Sequence, residues 1–297
     1  MTSTFPDLVK AIERHARYDF ETQIDGFLVV RVDSPSEVMR FVYRPSFGLV
    51  VSGTKELMVG EHQFHYQPGE SLLVAVDVPV TSQVTQASQS EPYLAIHLEI
   101  NPEVVADLLR EHTHFLPSVT TANTVGKCQL DPELIDPLVR LLSLLNRPRD
   151  IAVVAPLIRR EIVWRLLHGE HGMLLGQLAF ANGHTARIGQ ATSWIRDNFN
   201  EPLRIAELAA RVNMSVPSFH RHFKQVTSMA PVQFQKRVRL QEARRRLPYT
   251  DSISSLAFSI GYESISQFNR DYRRLFNQTP SDDAAALRSV IQAASDR

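Results

Sequence analysis

A repeat in the C-terminal third of the sequence constrains the fold more than any other feature. The segment SVPSFHRHFKQVTSMAP at 215–231 aligns with SISQFNRDYRRLFNQTP at 264–280 at a constant shift of 49 residues. Serine, aromatic, arginine and proline positions match in type, and upstream the match continues at a shift of 48 because the second copy has one more residue in its turn. Such self-similarity predicts two copies of one structural unit.

Each copy has the sequence pattern of a helix-turn-helix. A short apolar helix, IAELAARV or ISSLAFSI, leads into a turn where Asn213 and Gly261 tolerate a positive φ. Ser215 and Ser264 follow, at the position where a hydroxyl caps the next helix. We therefore predict two helix-turn-helix units.

The second helix of each copy is predicted to have an aromatic face and a polar face. Phe219 and Phe223 in the first copy, and Phe268 and Tyr272 in the second, fall on one stripe that is typical of a core. The opposite face carries Arg, which binds guanine edges, and Asn or His, which address other bases in the major groove. For a single helix a solvated charged face explains this pattern better, but its recurrence at one offset favours DNA contact.

A basic segment, PVQFQKRVRLQEARRRL, joins the two copies and as a helix spans about 25 Å. A spacer of this length would set the two recognition helices near one DNA turn apart, about 34 Å, so that a monomer contacts two successive major-groove segments. Its basic residues are Lys236, Arg237, Arg239, Arg244, Arg245 and Arg246. They either contact the DNA backbone or form a solvated, acid-paired face.

The formal net charge of zero conceals opposite charges in the two halves. Residues 1–179 contain 15 Lys and Arg against 22 Asp and Glu, whereas residues 180–297 contain 17 against 10. Neutralisation of phosphates by Lys and Arg supplies most non-specific DNA affinity, so the basic half is expected to contact DNA. No apolar run approaches the roughly 18 residues of a membrane span, which predicts a cytoplasmic protein without a membrane partner.

The N-terminal half is strand-like over residues 26–100. Seven runs of four to eight residues, rich in Val, Ile, Phe and Tyr, alternate with turn signals such as Gly60 and Pro68-Gly69. This spacing predicts an antiparallel barrel or sandwich. After Asn101 the apolar period changes from two to about 3.6 and is predicted to stay helical to the end of the chain.

The predicted fold class is α+β with two domains: an N-terminal antiparallel β-barrel with flanking helices, and a C-terminal all-α domain of two helix-turn-helix units joined by a long helix. The polar stretch around Asn182-Gly183 sets the predicted domains at 1–182 and 183–290. Helices predicted at 131–146 and 151–168 carry enough Leu, Ile and Val to need a partner, either the barrel or a second subunit.

The C-terminal sequence resembles the AraC-type family of bacterial regulators. The segment LAFSIGYESISQFNRDYRRLFNQTP is similar to that family's signature around its second helix-turn-helix, and the resemblance covers about residues 187–285. It implies base-reading positions in both recognition helices, where Pro217 is a departure because proline cannot hydrogen-bond a base edge. The predicted DNA-binding residues are Pro217, Ser218, His220, Arg221, Lys224, Ser266, Gln267, Asn269, Arg270 and Arg273.

The N-terminal sequence YRPSFGLVVSGTKELMVGEHQFHYQPGESLLVAVDVPV resembles the cupin-like effector domain of one AraC subgroup. The resemblance implies a transcription regulator that binds double-stranded promoter DNA under the control of a small-molecule effector. RNA polymerase is a candidate partner, and no cofactor is implied. We expect a homodimer through the helices at 131–168, since two protomers would double the DNA footprint.

A metal-dependent cupin enzyme fused to a DNA-binding module is the competing hypothesis, because cupin barrels also occur as metal enzymes. The available ligands are His62, His65 and His97. His62 and His65 would point to opposite faces of a strand, whereas cupin metal sites use two His separated by one residue. No Gly-rich phosphate loop, G-x-S-x-G elbow or H-E-x-x-H motif occurs, so we predict that the protein is not an enzyme.

Two further alternatives concern the DNA interaction and the cysteine. A protein that coats DNA without sequence preference would also have a basic half. The single cysteine, Cys128, has no partner for an internal disulfide and is expected to be an ordinary thiol near a helix start. Redox or electrophile sensing is the alternative role for it.

Overall fold

The computed structural model describes residues 3–17, 20–112, 124–179 and 183–295. The strands are β1 (Phe27–Val32), β2 (Met39–Tyr43), β3 (Ser46–Ser52), β4 (Thr54–Val59), β5 (His62–Tyr66), β6 (Glu70–Val74), β7 (Val78–Gln86), β8 (Tyr93–Glu99) and β9 (Val125–Gln129). The helices are α1 (Phe5–His15), α2 (Pro102–Glu111), α3 (Ile135–Ser143), α4 (Pro148–His168), α5 (Gly172–Ala179), α6 (His184–Asp197), α7 (Ile205–Arg211), α8 (Val216–Thr227), α9 (Pro231–Arg246), α10 (Ile253–Ser259), α11 (Ile265–Phe276) and α12 (Pro280–Ser295).

Two antiparallel sheets form the N-terminal part and enclose an apolar core between them. The five-stranded sheet has the order β1-β8-β3-β6-β9, and the four-stranded sheet has the order β2-β7-β4-β5. Alternate residues point inward, so that Leu57 and Val59 of one sheet share a core with Leu72 and Val74 of the other. The predicted β-barrel or sandwich is confirmed.

Two strands lie outside the seven predicted runs. The first, β2, forms an edge of the four-stranded sheet by pairing with β7. The second, β9, pairs with β6 within the stretch after Asn101 that was expected to be helical, and that expectation is wrong here. Because β9 reads VGKCQ, with glycine and a lysine among few apolar residues, its strand conformation comes from pairing with β6 and not from local propensity.

Helices α1 to α5 cover the outer face of the five-stranded sheet. Phe47 and Leu73 of that face pack with Leu138 of α3 and Ile162 of α4 in a second apolar core. The barrel is therefore the main partner of the helices predicted at 131–146 and 151–168. None of the helices in the described ranges is long and apolar enough to cross a membrane.

The C-terminal part contains the two predicted helix-turn-helix units. The first consists of α7 and α8, the second of α10 and α11, and α9 joins them. The predicted domain boundary falls between α5 and α6, where Gly183 immediately precedes α6 and Asn182 lies outside the described residues.

Polar contacts join the barrel to α6, which packs against the first helix-turn-helix unit, and to α9. Asp77, which follows β6, forms an ion pair with Arg196 of α6 and accepts a 3.1 Å hydrogen bond from Thr192 Oγ1. Burial raises the pKa of Asp77, while Arg196 and Thr192 act to lower it. Gln241 of α9 accepts a 2.7 Å hydrogen bond from Val42 N, so the connecting helix is also attached to the edge strand β2.

Candidate nucleic-acid interface

The two turns adopt the same backbone conformation, as the repeat predicts. Asn213 has a φ of 54° and Gly261 a φ of 89°, so both lie in the region predicted for them. The repetition extends to the ends of the recognition helices α8 and α11, where Ser228 and Asn277 have φ values of 57° and 60°. The two units thus share their helix starts and stops as well as their sequence.

Serine caps begin both recognition helices. Ser215 Oγ accepts a 3.4 Å hydrogen bond from Ser218 N, and Ser264 Oγ accepts one of the same length from Gln267 N. Pro217 lies in the first turn of α8, where a helix loses no internal hydrogen bond by having proline. Its departure from the family pattern therefore has a structural explanation at the start of the helix.

The aromatic faces are buried as predicted. Phe219 and Phe223 in α8, and Phe268 and Tyr272 in α11, are fully buried. Phe223 meets Phe234 of α9 edge-on, with ring centroids 5.5 Å apart. These contacts fix the rotation of each recognition helix and turn its opposite face to solvent.

The predicted DNA-binding residues lie together on the outward faces of α8 and α11. Nine of the ten are exposed, and only Ser218 is half-buried. On α8 they are Pro217, Ser218, His220, Arg221 and Lys224, and on α11 they are Ser266, Gln267, Asn269, Arg270 and Arg273. The structure thus brings the predicted residues to two solvent-facing helix surfaces.

The cationic side chains on these faces are mostly without internal partners. Within the described part of the chain, Lys224, Arg270 and Arg273 take part in no ion pair or side-chain hydrogen bond. Arg221 is the exception, because its Nη2 lies 3.3 Å from His222 Nε2. Cations without acidic partners remain available to phosphates and base edges.

His222 links α8 to the start of α6. Its ring stacks on that of His184, with centroids 3.8 Å apart. Partial desolvation, His184 and Arg221 together lower the pKa of His222, which keeps its ring neutral to lower pH than a free histidine.

Most of the basic side chains of α9 form ion pairs with acidic side chains of the protein. The ion pairs are Lys236–Asp271 at 3.0 Å, Arg244–Asp283 at 2.8 Å, Arg245–Glu242 at 2.7 Å and Arg246–Glu242 at 2.5 Å. Of the two alternatives for this helix, the structure shows the acid-paired face, while a contact of the exposed Arg245 with the DNA backbone stays a prediction.

Arg239 of α9 holds the two units in a fixed relative position. Its guanidinium donates to the carbonyl oxygens of Phe199, Gly261 and Glu201 at 2.6, 2.7 and 2.9 Å. A Cβ atom at Gly261 would lie 2.5 Å from Asn200 O, so this turn needs glycine for close approach as well as for its φ. The sequence signal for Arg239 was its place in the basic run, which predicted either a DNA-backbone contact or a solvated, acid-paired face, and not these hydrogen bonds to backbone carbonyls.

The three histidines considered as metal ligands lie on two sheets, with His62 and His65 on β5 and His97 on β8. His65 points outward and pairs with Glu56 at 3.3 Å, whereas His97 lies inside the barrel and stacks on Tyr43. Among the described residues, no group of three or more His, Cys, Asp or Glu side chains is arranged to hold a metal ion. Desolvation, with Lys55 and Arg44 nearby, lowers the pKa of His97 to about 4.

Cys128 lies on β9 and not near a helix start. Its Sγ is 3.6 Å from His171 Nδ1, and His171 Nε2 is 2.9 Å from Ser71 Oγ. Burial and the neighbouring Glu170 raise the pKa of Cys128 to about 11. Because the thiolate is the reactive form, this environment favours the ordinary thiol over a redox or electrophile sensor.

Two helix-turn-helix units joined to an N-terminal β-barrel define the class of helix-turn-helix proteins with a barrel domain. Residues 23–174 match the family described as AraC-type transcriptional regulator N-terminus, and residues 208–285 match a helix-turn-helix domain family. The chain belongs to the AraC-type family of transcriptional regulators.

Individual relatives agree with this assignment. The chain is 32% identical over 113 residues to the HTH-type transcriptional activator RhaS of Klebsiella pneumoniae (strain 342), covering 38% of this chain and 41% of that protein. It is 27% identical over 168 residues to RhaS of Salmonella agona (strain SL483), covering 55% and 59%. These alignments span less than two thirds of either relative.

A solved structure supports the fold over a larger share of the chain. ToxT from Vibrio cholerae O395, bound to (E)-4-(8-methylnaphthalen-1-yl)but-3-enoic acid, aligns with a TM-score of 0.63 over 87% of this chain and 98% of that one. At 10% sequence identity, the similarity concerns the two-domain fold alone.

Proposed function

We propose that this protein regulates transcription by binding promoter DNA through α8 and α11, in response to a small molecule bound by its N-terminal domain. The observation that carries the proposal is the repetition of one backbone in two units whose recognition helices both expose cations. Relatives named as transcriptional activators support it. Because bacterial promoters lie in the cytoplasm, this role implies a cytoplasmic protein.

The ten outward residues of α8 and α11 are proposed as the DNA contacts. Arg221 and Arg270 read bases, together with His220 and Asn269, while Lys224 and Arg273 lie further round each helix and bind phosphates. With α9 about 24 Å long, the two helices would enter successive turns of the major groove. The proposed DNA-binding domain is 183–290, and the proposed effector domain is 1–182.

A homodimer through α4 is proposed as the assembled form. Val153 and Leu157, one helical turn apart on α4, are 70% and 64% exposed although the rest of the helix's apolar face packs on the barrel. A Val153→Glu, Leu157→Glu double variant is expected to be monomeric by light scattering while keeping its melting temperature. An unchanged mass would show that α4 does not form the dimer interface.

RNA polymerase is a proposed further partner of the promoter-bound form.

Genomic binding followed by affinity measurement tests the main proposal. Fragments selected by the full chain from bacterial DNA are expected to bind about 1,000-fold more tightly than shuffled sequences at one fixed salt concentration. A ratio near one would replace the proposal with non-specific coating of DNA. Metal analysis of the purified protein addresses the enzyme alternative, since stoichiometric iron or zinc would revive it.

A further inference from the structure

The interface between the barrel and the connecting helix α9 brings two arginines together. Gln241 of α9 accepts a hydrogen bond from Val42 N, and its own Nε2 donates to Val42 O at 3.5 Å. Arg237 lies one helical turn before Gln241, on the same face of α9. Arg40 lies two residues before Val42, on the same face of β2. The two arginines therefore come close across the interface, and the positive charge of Arg40 acts on Arg237.

The two guanidinium groups have no acidic partner. Among the described residues, neither of them forms an ion pair. Arg40 donates a 3.3 Å hydrogen bond to the carbonyl of Leu275 in α11, whereas Arg237 takes part in no hydrogen bond or ring contact within the described ranges. Asp271 of α11 is already paired with Lys236 at 3.0 Å. Two like charges thus meet here without a counter-ion from the described part of the protein.

This arrangement is unfavourable as long as nothing neutralises it. Both arginines are half-buried, so they lose part of their hydration while staying open to small ions. Desolvation and the charge of Arg40 lower the pKa of Arg237, yet an arginine remains charged at any physiological pH. Each guanidinium also offers five N–H donors, most of which find no acceptor here. Partly desolvated cations with unused donors indicate a missing acceptor that carries negative charge.

We propose that Arg40 and Arg237 together bind a phosphate-type dianion between the barrel and α9. One dianion neutralises both charges, and the planar donors of guanidinium match the oxygens of phosphate in pairs. Because β2 and α9 belong to different proposed domains, the bound anion joins the barrel to the helix that connects the two helix-turn-helix units. The site itself is independent of the proposed DNA contacts, while its use in control by a small molecule rests on the proposed effector response.

Thermal unfolding of the full chain with inorganic phosphate tests the site. At about pH 7.5, phosphate at about 20 mM is compared with sodium chloride of the same ionic strength, and acetate serves as the monoanion. Phosphate is expected to raise the melting temperature of the wild type by about 2–4 °C, and acetate to raise it less than half as much. No rise with phosphate, or an equal rise with acetate, would overturn the proposal.

Variants locate the site at the two arginines. Arg40→Gln and Arg237→Gln each remove one charge and are expected to lose at least half of the rise with phosphate. Arg14→Gln, the same substitution at an exposed position of α1, is expected to keep the full rise. A full rise in both Arg40→Gln and Arg237→Gln would refute the assignment. Arg237→Gln breaks no hydrogen bond among the described residues, so it tests the site even if Arg40→Gln fails to fold.

DNA binding distinguishes two sources of the phosphate group. If bound DNA supplies it, Arg237→Gln weakens binding to all sequences alike in chloride, about threefold to tenfold. If a free ion supplies it, Arg237→Gln binds DNA as the wild type does in chloride, and only the wild type changes its affinity when phosphate replaces chloride. The melting experiment contains no DNA. Failure of DNA selection therefore leaves the anion site standing, and an absent effect of phosphate on melting leaves DNA selection standing.

Discussion

The first helix-turn-helix unit shares its core with the barrel, whereas the second has a core of its own. Phe219 and Phe223 of the first unit belong to one apolar cluster with Val78 and Val80 of β7. Phe268 of the second unit packs in a separate cluster with α9 and α12. Outside α9, the second unit reaches the barrel through a 3.3 Å hydrogen bond from Arg40 to the carbonyl of Leu275.

This difference separates two functions, response to the barrel and DNA binding, which the sequence repeat alone would assign equally to both units. A change inside the barrel can reach α8 directly through packed side chains, because tightly packed interiors transmit displacement. Among the described residues, it can reach α11 through the edge strand β2, through the connecting helix α9 and through Phe199, which packs against both clusters. We therefore expect the first unit to respond to the barrel and the second to bind DNA more independently of it.

The largest effect is expected from two buried aspartates that anchor the two units differently. Asp77 attaches the barrel to Arg196 and Thr192 of α6, which packs against the first unit. Asp283 of α12 instead accepts from Arg244 of α9 and, at 2.5 Å, from Tyr272 Oη of the second unit. Replacing either by Ala removes the buried carboxylate that a partly buried arginine faces and is expected to cost about 3 kcal/mol of unfolding free energy.

Hydrogen exchange distinguishes the two aspartate variants. Asp77→Ala is expected to raise exchange in α6 and α8, and Asp283→Ala in α11 and α12. Thr192→Val, which removes one hydrogen bond to Asp77, is a milder control expected to cost about 1 kcal/mol in denaturant unfolding. The same exchange pattern in both aspartate variants would mean that the two units are equally coupled to the barrel.

The next effect concerns base reading by the paired arginines Arg221 and Arg270. Each Ala variant is expected to lose about 1–3 kcal/mol of specific binding free energy and to relax preference at one base position. Arg270→Ala is expected to lose more, because Arg221 is partly engaged by His222. Affinities for a set of operators with single base changes measure both the loss of binding free energy and the change in base preference. Full sequence preference in the two variants would show that other residues read the bases.

The sequence predicted the DNA-binding units closely because their determinants are local. Turn residues, caps and aromatic spacing lie within a few positions of one another, and each is confirmed at Asn213, Ser215 and their repeats. Because the sequence contains two copies of the unit, the same pattern of turn, cap and aromatic residues could be compared at two places. The roles of Lys236 and Arg239 in α9 were ambiguous for the opposite reason. Their partners Asp271 and Glu201 are 35 and 38 residues away in the sequence and come close only when the chain folds.

The barrel was predictable in class but not in detail. Alternating apolar residues predict strands, yet β9 is a strand because β6 offers it hydrogen bonds across a long sequence separation. The hydrogen bond between Lys55 and Tyr43 depends on which side chains meet inside the barrel, and a single sequence does not report those neighbours. Long-range contacts thus account for the residues that sequence reasoning missed.

A smaller effect is expected at the phosphate-binding positions Lys224 and Arg273, which the repeat places in register. Because a phosphate contact carries no base information, each Ala variant should weaken binding to all sequences alike, about threefold to tenfold at 0.15 M salt. The slope of log affinity against log salt should fall by about one. A loss confined to the specific operator would assign the residue to base reading.

The smallest effect is expected from the titration of His222, and of the two helix-turn-helix units only the first should show it. The sequence has no histidine after His222, so the second unit contains no group that titrates as an ordinary histidine does. The pKa of His222 is lowered in the folded protein, so the unfolded chain takes up its proton first as the pH falls. The contribution of neutral His222 to the free energy of unfolding is therefore fully present above its unfolded pKa of about 6.5, and it declines as the pH falls below that value.

His97 and His171, each with a pKa lowered to about 4 by desolvation, weaken the N-terminal domain over the same range. The contribution of His222 is consequently the difference between the wild type and His222→Asn. Exchange protection factors of α8 should fall more between pH 7.5 and 5.5 in the wild type than in this variant, while those of α11 should fall equally in both. If the protection factors of α8 fell equally in the wild type and in His222→Asn, the stacked pair His184–His222 would not be the cause of a pH response in the first unit.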